Sequence, residues 1–233
     1  MKASETMMSR ENWLHELPAQ VRDAIVARMT TVEIPAGKTL RRTGDHAVGM
    51  YQVESGYVRL LGLNPDGRQV LILLYRPGNC FGETPVIARR PFNHTTVALT
   101  DVRLRMLAER DFWELYGEFR EIPDALCRKF ANNTSRQFVM REMRSTFRLR
   151  QLISMCFASL ADHCGKPFVD GSVLVELPLV QGDFADFLEV TRQAAQREIG
   201  ALKASGQISQ GRGHWLLHNV EGLRVDGLSF GTA

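Results

Sequence analysis

The 233-residue sequence lacks any apolar run long enough to cross a bilayer, because runs such as VLILLY at 70–75 fall far short of the roughly 20 residues required. The N-terminal stretch MKASETMMSRENW also lacks the uninterrupted apolar core of a signal peptide. We therefore expect a cytoplasmic protein with no membrane partner. The formal net charge of +3 is small, so a nucleic-acid-binding surface would have to come from local clustering of charge.

Cysteine is scarce as well. The 4 cysteines are widely spaced and form no CxxC pair, which argues against a zinc knuckle or a disulfide scaffold, and no metal site is predicted. The sequence also has no GxSxG, HExxH or phosphate-binding P-loop motif. The sequence therefore shows no set of acid, base and nucleophile that would form one active site, and it does not predict an enzyme.

Residues 30–107 consist of short apolar stretches separated by glycines, which predicts an antiparallel β domain. Asp66-Gly67 lies between VRLLGL and QVLILL and predicts a hairpin, because the turns that fit strand twist require positive φ angles. Before this domain, residues 17–29 place apolar side chains four apart, which predicts a small helix.

Residues 124–162 contain neither glycine nor proline and predict one long helix or two in series. Apolar and amide side chains recur there near coiled-coil spacing, which favours a dimer seam. The seam residues are Leu126, Phe130, Asn133, Gln137, Met140 and Phe147. A helix packed on its own domain is the alternative interpretation of the same pattern.

The stretch DFADFLEVTRQAAQREIGAL at 183–202 contains two short helical patterns that share one apolar face. Thr191 is placed to cap the second helix, since its hydroxyl can accept an amide hydrogen there. The exposed start of that helix carries Arg192, Gln193, Gln196 and Arg197. Arginine and glutamine make bidentate contacts to guanine and adenine, so this pattern predicts a helix-turn-helix that enters the major groove of DNA.

The segment KASGQISQGRGHWLLH follows, and two short strands around QGRG predict a wing whose tip, Arg212, reaches phosphate. The clustering of Arg192, Arg197, Lys203 and Arg212 favours DNA. The alternative is that these side chains only solvate a surface, which is the usual fate of arginine.

These motifs together resemble the CRP/FNR transcription regulators, named after the cyclic-AMP receptor protein and the fumarate and nitrate reduction regulator. LPLVQGDFADFLEVTRQAAQREIGALKASGQI is similar to the family's helix-turn-helix, and IPAGKTLRRTGD, YQVESGYVRLL and PGNCFGE are similar to its cyclic-nucleotide-binding β-roll. The resemblance implies an α+β fold. Its parts are a double-stranded β-roll sensor at 1–120, a dimerisation helix at 121–150 and a winged helix-turn-helix at 151–233.

The resemblance further implies a homodimer that binds a palindromic operator in double-stranded DNA and acts with RNA polymerase. Two departures lie in the helix-turn-helix. Glu189 stands where the family has glycine, and a non-glycine residue at positive φ costs about 1 kcal/mol. Gln193 stands where many members have glutamate, which predicts a shifted operator sequence.

The third departure lies in the effector site. Family members that bind cyclic nucleotides have an arginine and a serine or threonine after the FGE helix, whereas this chain has Phe92 or Asn93 where the arginine should fall. Arg89 or Arg90 could substitute for this arginine, but we expect both to point into solvent, as most arginines do. The predicted pocket residues are Gly82, Glu83, Thr84, His94, Thr95, Gln137 and Phe138. We therefore expect an effector other than cyclic AMP, and the cofactor remains unknown.

Two alternatives stay open from the sequence. The first is an effector-independent regulator whose sensor pocket has degenerated. The second is a haem-based gas sensor, for which His94, Cys80 or His46 could supply an axial ligand. An iron–sulfur cluster is not expected, because it needs about four thiolates and residues 1–79 contain no cysteine. Cys80 could be a redox thiol or a small buried apolar side chain.

Overall fold

The computed structural model describes residues 7–228. The strands in this part of the chain are β1 (Thr30–Ile34), β2 (Thr39–Arg41), β3 (Gly49–Ser55), β4 (Val58–Leu63), β5 (Gln69–Tyr75), β6 (Cys80–Phe81), β7 (Thr95–Ala98), β8 (Val102–Ala108), β9 (Gly165–Pro167), β10 (Val173–Val175), β11 (Ile208–Gly211) and β12 (His214–Leu217). The α-helices are α1 (Ala19–Arg28), α2 (Glu83–Ala88), α3 (Glu109–Glu118), α4 (Glu121–Thr146), α5 (Leu149–Cys164), α6 (Gln181–Leu188), α7 (Arg192–Ala204) and α8 (Val220–Leu228).

The N-terminal strands form two four-stranded antiparallel sheets, in the orders β1-β8-β3-β6 and β2-β7-β4-β5. Side chains of paired strands such as Val53 and Leu104 meet in the core between them. The predicted hairpin is confirmed: β4 and β5 are joined by a turn in which Gly67 has a φ of 76°. The predicted β domain and the small helix α1 are likewise present.

The chain divides into two units. One contains residues 9–69 and 73–135, and the other contains residues 136–228 together with 7–8 and 70–72. In the second unit, helices α5 to α8 accompany a four-stranded sheet in the order β11-β12-β10-β9. Its core holds a cluster of three aromatic rings, with centroid distances of 4.7 Å between Phe157 and Phe184 and 5.0 Å between Phe157 and Trp215.

The glycine- and proline-free stretch forms two helices in series, α4 and α5, which are separated at Phe147 and Arg148. Arg148 has a ψ of 153°, so the helical backbone is interrupted there. Its amide donates a hydrogen bond of 2.9 Å to Oε1 of Gln151, which satisfies a donor at the start of α5. Two helices in series was one of the two predicted arrangements.

The predicted seam residues differ in exposure: Gln137 is exposed, and Phe130 and Asn133 are partly buried. Leu126, Met140 and Phe147 are buried within the single chain. A neighbouring stripe on the same helix is exposed instead, and it repeats at alternating steps of four and three residues: Cys127, Ala131, Thr134, Phe138, Arg141 and Ser145. This exposed stripe lies one position along the helix from the predicted seam, which is a rotation of about 100° around the helix axis. The dimer seam itself stays a prediction.

Between residues 7 and 228, no helix is both long enough and apolar enough to span a membrane.

Candidate DNA-binding surface and effector cavity

Helices α6 and α7 meet at a short turn, as the sequence predicted. Their shared core contains Phe184, Leu188, Ala195 and Ile199, all of which are buried. Thr191 is the N-cap of α7, and its Oγ1 accepts a hydrogen bond of 3.2 Å from the amide of Ala194. The predicted cap is therefore confirmed, and it fixes where the second helix begins.

The turn between α6 and α7 places Glu189 in the left-handed region with a φ of 59°. Arg144, near the end of α4, contacts this turn at two points. Its Nη1 lies 2.5 Å from Oε1 of Glu189, and its Nη2 donates a hydrogen bond of 2.7 Å to the carbonyl of Phe187. These contacts help to offset the backbone cost at Glu189, which is about 1 kcal/mol. Sequence reasoning missed Arg144, because the two residues are 45 positions apart.

The outward face of α7 begins with exposed polar side chains. Arg192, Gln193, Gln196 and Arg197 are all exposed, while Ala195 and Ile199 point into the core. An ion pair joins Nε of Arg197 to Oε1 of the adjacent Glu198 at 3.1 Å, and the arginine side chain remains 75% exposed. The described part of this surface thus presents two arginines and two glutamines at a helix start, which is the geometry of a major-groove reading helix.

The wing consists of β11 and β12, which pair antiparallel. Arg212 and Gly213 form its tip; Arg212 is exposed, and Gly213 has a φ of 80°. Lys203 is only partly exposed: its Nζ donates a hydrogen bond of 2.8 Å to Oε1 of Gln210 and lies 5.1 Å from the centre of the Trp215 ring. Arg192, Arg197 and Arg212 are the exposed members of the predicted basic cluster.

A cavity of about 380 Å³ opens in the β-roll beside α2. Its wall is mostly apolar and includes stacked rings, with Tyr75 and Phe81 at a centroid distance of 4.8 Å and an interplanar angle of 21°. The other lining residues are Leu60, Gly82, Thr84, Pro85, Ala88, Arg90, Pro91, Phe92, Asn93, His94 and Thr96. Gly82 precedes α2 with a φ of 93°, so the backbone at this edge requires glycine.

Three of the polar residues in the lining, Thr96, Arg90 and His94, bear on the charge and the hydrogen bonding of the cavity. Thr96 is 1% exposed, and its Oγ1 has no hydrogen-bond partner among the described residues. Arg90 supplies a permanent positive charge. Burial lowers the pKa of His94 below its usual value, so its imidazole is neutral at neutral pH. No carboxylate lines this cavity within residues 7–228, so its charge favours an anion.

Comparison with known proteins identifies both halves of the chain. Residues 31–119 match the cyclic nucleotide-binding domain family, and residues 148–225 match the Crp-like helix-turn-helix domain family. The transcriptional regulator SdrP of Thermus thermophilus is 26% identical over 174 residues, which cover 75% of this chain and 81% of that protein. The chain belongs to the CRP/FNR family of transcription regulators.

Two further relatives agree with this assignment. A CRP-like cAMP-activated global transcriptional regulator of Mycobacterium tuberculosis is 26% identical over 195 residues, which cover 79% of this chain and 82% of that protein. The crystal structure of a CRP/FNR family transcriptional regulator from Thermus thermophilus has a TM-score of 0.71 and is 25% identical, and the match covers 87% of this chain and 100% of that one. These relatives are transcription regulators rather than enzymes.

Within this CRP/FNR chain, Glu83 does not line the β-roll cavity. It is 2% exposed, and its Oε1 lies 2.7 Å from Nζ of Lys129 and accepts a hydrogen bond of 2.8 Å from Nε1 of Trp13. Lys129 also donates a hydrogen bond of 3.0 Å to the carbonyl of Cys80. The prediction of Glu83 as a pocket residue is therefore wrong, because a buried lysine from α4 occupies its carboxylate.

Thr95 is a second correction. Its Oγ1 accepts a hydrogen bond of 3.2 Å from the amide of Thr43, and it does not line the cavity, whereas Thr96 does. The prediction missed by one residue because successive side chains of a strand point to opposite faces. Gly82, Thr84 and His94 do line the cavity, as predicted.

The arginines after α2 divide between two positions. Arg89 ends α2 with a φ of 52°, and its guanidinium lies 5.3 Å from the centre of the Trp113 ring. Arg90 is exposed, as expected, and it also lines the cavity. Gln137 and Phe138 line a different groove, on α4, together with Arg141, Arg144, Ser145 and Glu189.

Among the candidate haem and redox residues, His94 lines the cavity, whereas Cys80 and His46 do not. Cys80 is 3% exposed, and burial raises the pKa of its thiol, so the reactive thiolate is disfavoured. His46 is exposed. In the described part of the chain, no cluster of three or more histidine, cysteine, aspartate or glutamate side chains is arranged to hold a metal ion. Cys80 is therefore best described as a small buried side chain.

Proposed function

We propose that this CRP/FNR protein is a homodimeric regulator that binds a palindromic operator and responds to a small effector other than cyclic AMP. The observation that carries the proposal is the exposed start of α7, where Arg192, Gln193, Gln196 and Arg197 stand on a capped and firmly packed helix. These side chains read base edges in the major groove. Arg212 at the wing tip contacts the phosphate backbone, which positions the protein but carries no sequence information.

In the proposed homodimer, the two-fold axis runs between two copies of α4 that pack against one another. Its exposed stripe follows the alternating steps of four and three residues that bring two helices together in a parallel coiled coil. Phe138, at 68% exposure, is a large apolar side chain in the middle of this stripe. Ala131 and Thr134 are small enough to let the two helices approach closely. A symmetric dimer places two reading helices about one DNA turn apart, and the operator is therefore palindromic. The dimer acts on transcription through RNA polymerase.

The mycobacterial relative is described as cAMP-activated, but two features of this chain support a different effector. The acidic side chain of the FGE motif, Glu83, is paired with Lys129 and Trp13 and is unavailable to a ligand. The expected phosphate arginine is replaced by Phe92 or Asn93; the Phe92 side chain is 6% exposed and belongs to the β-roll core. The cavity itself persists, which favours a sensor that has changed its ligand over one that has lost it.

The experiment that tests the proposal is selection of bound sites from random duplex DNA by the purified protein, with and without cyclic AMP. We expect the same palindrome to be enriched in both arms. Enrichment only with cyclic AMP would overturn the effector assignment and give Arg90 the role of the missing arginine. If no sequence is enriched in either arm, the operator-reading role itself is wrong.

The dimer seam can be tested with a single substitution. Phe138→Arg should convert the dimer to a monomer, because two arginines would meet across the two-fold axis in place of two apolar rings. Light scattering coupled to size-exclusion chromatography measures the molar mass. Val225→Arg, on α8, is the matched control, since Val225 is also a largely exposed apolar side chain at 58%.

Cys127 gives an independent check on the register. It is exposed and lies on the same stripe as Phe138. A parallel dimer therefore brings two copies of Cys127 within the Cα separation of a disulfide, which is roughly 4.4–6.8 Å. Mild oxidation should cross-link the wild type and leave Cys127→Ser unlinked. A monomeric wild-type protein would contradict the seam, as would a dimer that Phe138→Arg does not disturb.

A further inference from the structure

The wall of the β-roll cavity is suited to a flat apolar molecule. Tyr75 and Phe81 stack on one another, and Phe81 also stacks on the buried Tyr51 at a centroid distance of 5.3 Å. These contacts hold the two lining rings in place before any ligand arrives. Because Phe81 already stacks on two rings, a ligand ring would meet its edge or the ring of Tyr75, and aromatic pairs favour such offset or edge-to-face contacts. The volume of about 380 Å³ is near the lower end for ligand sites, so the ligand is compact.

The charges of the lining match one negative charge. Arg90 is the permanent cation among the described lining residues, and His94 is held neutral by burial. A guanidinium binds a carboxylate or a phosphate through two parallel hydrogen bonds. Because no described carboxylate lines the cavity, an anionic ligand meets no opposing charge there. A dianion would exceed the single positive charge that the lining supplies.

The hydroxyl of Thr96 offers the ligand a hydrogen bond in addition to Arg90. It lies directly opposite Leu60 across the ladder between β4 and β7, and both side chains line the cavity. Its Oγ1 is buried without a partner among residues 7–228, and such a hydroxyl is costly to leave unsatisfied. A polar substituent on the ligand would supply the missing hydrogen bond. By contrast, a sugar would find no free carboxylate at this end of the cavity, since Glu83 is held by Lys129 and Trp13.

We infer that the effector is a compact aromatic monoanion, with its ring against Tyr75 and the edge of Phe81, its anionic group at Arg90 and a second polar substituent at Thr96. This inference rests on the proposed role of the cavity as the effector site. It goes beyond that role in naming the chemical class of the ligand and the side chain that recognises each part of it.

Calorimetric titration of the full-length protein tests the inference. The probes are 4-hydroxybenzoate and 3-(4-hydroxyphenyl)propionate, which carry the ring, the carboxylate and the hydroxyl at two different separations. Each is compared with its neutral amide, with its analogue lacking the ring hydroxyl, and with cyclic AMP. We expect at least one hydroxy acid to bind, and its amide to bind about tenfold more weakly or worse, since the charge-assisted pair with Arg90 is lost.

Two variants assign the contacts. Arg90→Gln should weaken binding of the acid about tenfold without changing that of the amide. Thr96→Val, which keeps the side-chain shape, should weaken the hydroxy acid and leave the analogue without the hydroxyl unchanged. Arg89→Gln is the matched control, because Arg89 stacks over Trp113 instead of lining the cavity. Circular dichroism verifies that each variant is folded.

The inference is overturned if neither acid binds at millimolar concentration, if acid and amide bind equally, or if cyclic AMP binds more tightly than both acids. Site selection on DNA separates this failure from failure of the proposed function. An enriched palindrome without binding of either acid rejects the ligand class alone. Binding of an acid without any enriched DNA sequence keeps the ligand class and rejects the operator-reading role.

Discussion

Lys129→Met is expected to lower the free energy of unfolding by about 3–5 kcal/mol, because it leaves the buried carboxylate of Glu83 without its cation. The ammonium and the carboxylate are 5% and 2% exposed and lie 2.7 Å apart, so water cannot replace the lost partner in the folded state. The carbonyl of Cys80 loses its donor in the same variant. Urea unfolding followed by circular dichroism and tryptophan fluorescence gives the difference in stability.

The double variant Lys129→Met with Glu83→Gln should recover most of this loss, since the charge is removed and the amide oxygen of glutamine can still accept the hydrogen bond from Trp13. Arg128→Met is the matched control on the same helix. Its partner is Glu16, and the side chains are 55% and 42% exposed, so we expect a loss of less than about 1 kcal/mol. If Lys129→Met and Arg128→Met lower the free energy of unfolding equally, burial of the Glu83–Lys129 pair adds nothing to its effect on stability.

Arg197→Ala is expected to weaken binding to the selected operator by about 1–3 kcal/mol and to relax base preference at one position of each half-site. The reason is that a guanidinium on the exposed face of α7 can bind one guanine edge through two hydrogen bonds. Its contact with Glu198 is at the surface and does little to hold it away from DNA. Affinity is measured by fluorescence anisotropy at one fixed salt concentration, since salt alone changes protein–DNA affinity.

Two comparisons make this result specific. Arg197→Lys keeps the charge but loses the planar fork, so it should lose base preference nearly as fully as alanine. Arg120→Ala removes the same charge from a side chain that is 91% exposed outside the DNA-binding unit, and it should leave the operator preference intact. If Arg197→Ala weakens random and selected DNA equally, Arg197 contacts phosphate and another side chain reads that base.

The architecture could be predicted from sequence because its signals are local. The Asp66-Gly67 turn and the Thr191 cap depend on neighbouring residues, and both were placed correctly. Spacing alone could not tell which face of α4 is exposed. Two adjacent sets of positions on this helix, one from Leu126 and one from Cys127, both repeat at steps of three and four residues. Burial distinguishes the two sets: Leu126 and Met140 are buried, and Leu126 belongs to a core cluster with residues as distant in sequence as Trp13.

At the cavity too, the sequence does not show which way each side chain points. Glu83 belongs to a recognisable motif, but its carboxylate is occupied by Lys129, which lies 46 positions along the chain. Thr95 and Thr96 are the same residue type, so the sequence gives no reason to prefer one of them until the strand pairing is known. Residues of the motif thus border the cavity, whereas the direction of each side chain required the three-dimensional structure.

Arg144 supports the helix-turn-helix from outside its sequence segment, and a genetic screen can detect this role. Its guanidinium holds the backbone of the α6–α7 turn through the carbonyl of Phe187 and the side chain of Glu189. A random mutagenesis screen for loss of promoter control should therefore return alleles at position 144 beside those at Arg192 and Arg197. Such alleles would resemble recognition-helix alleles in phenotype, although residue 144 lies far away on the linear map.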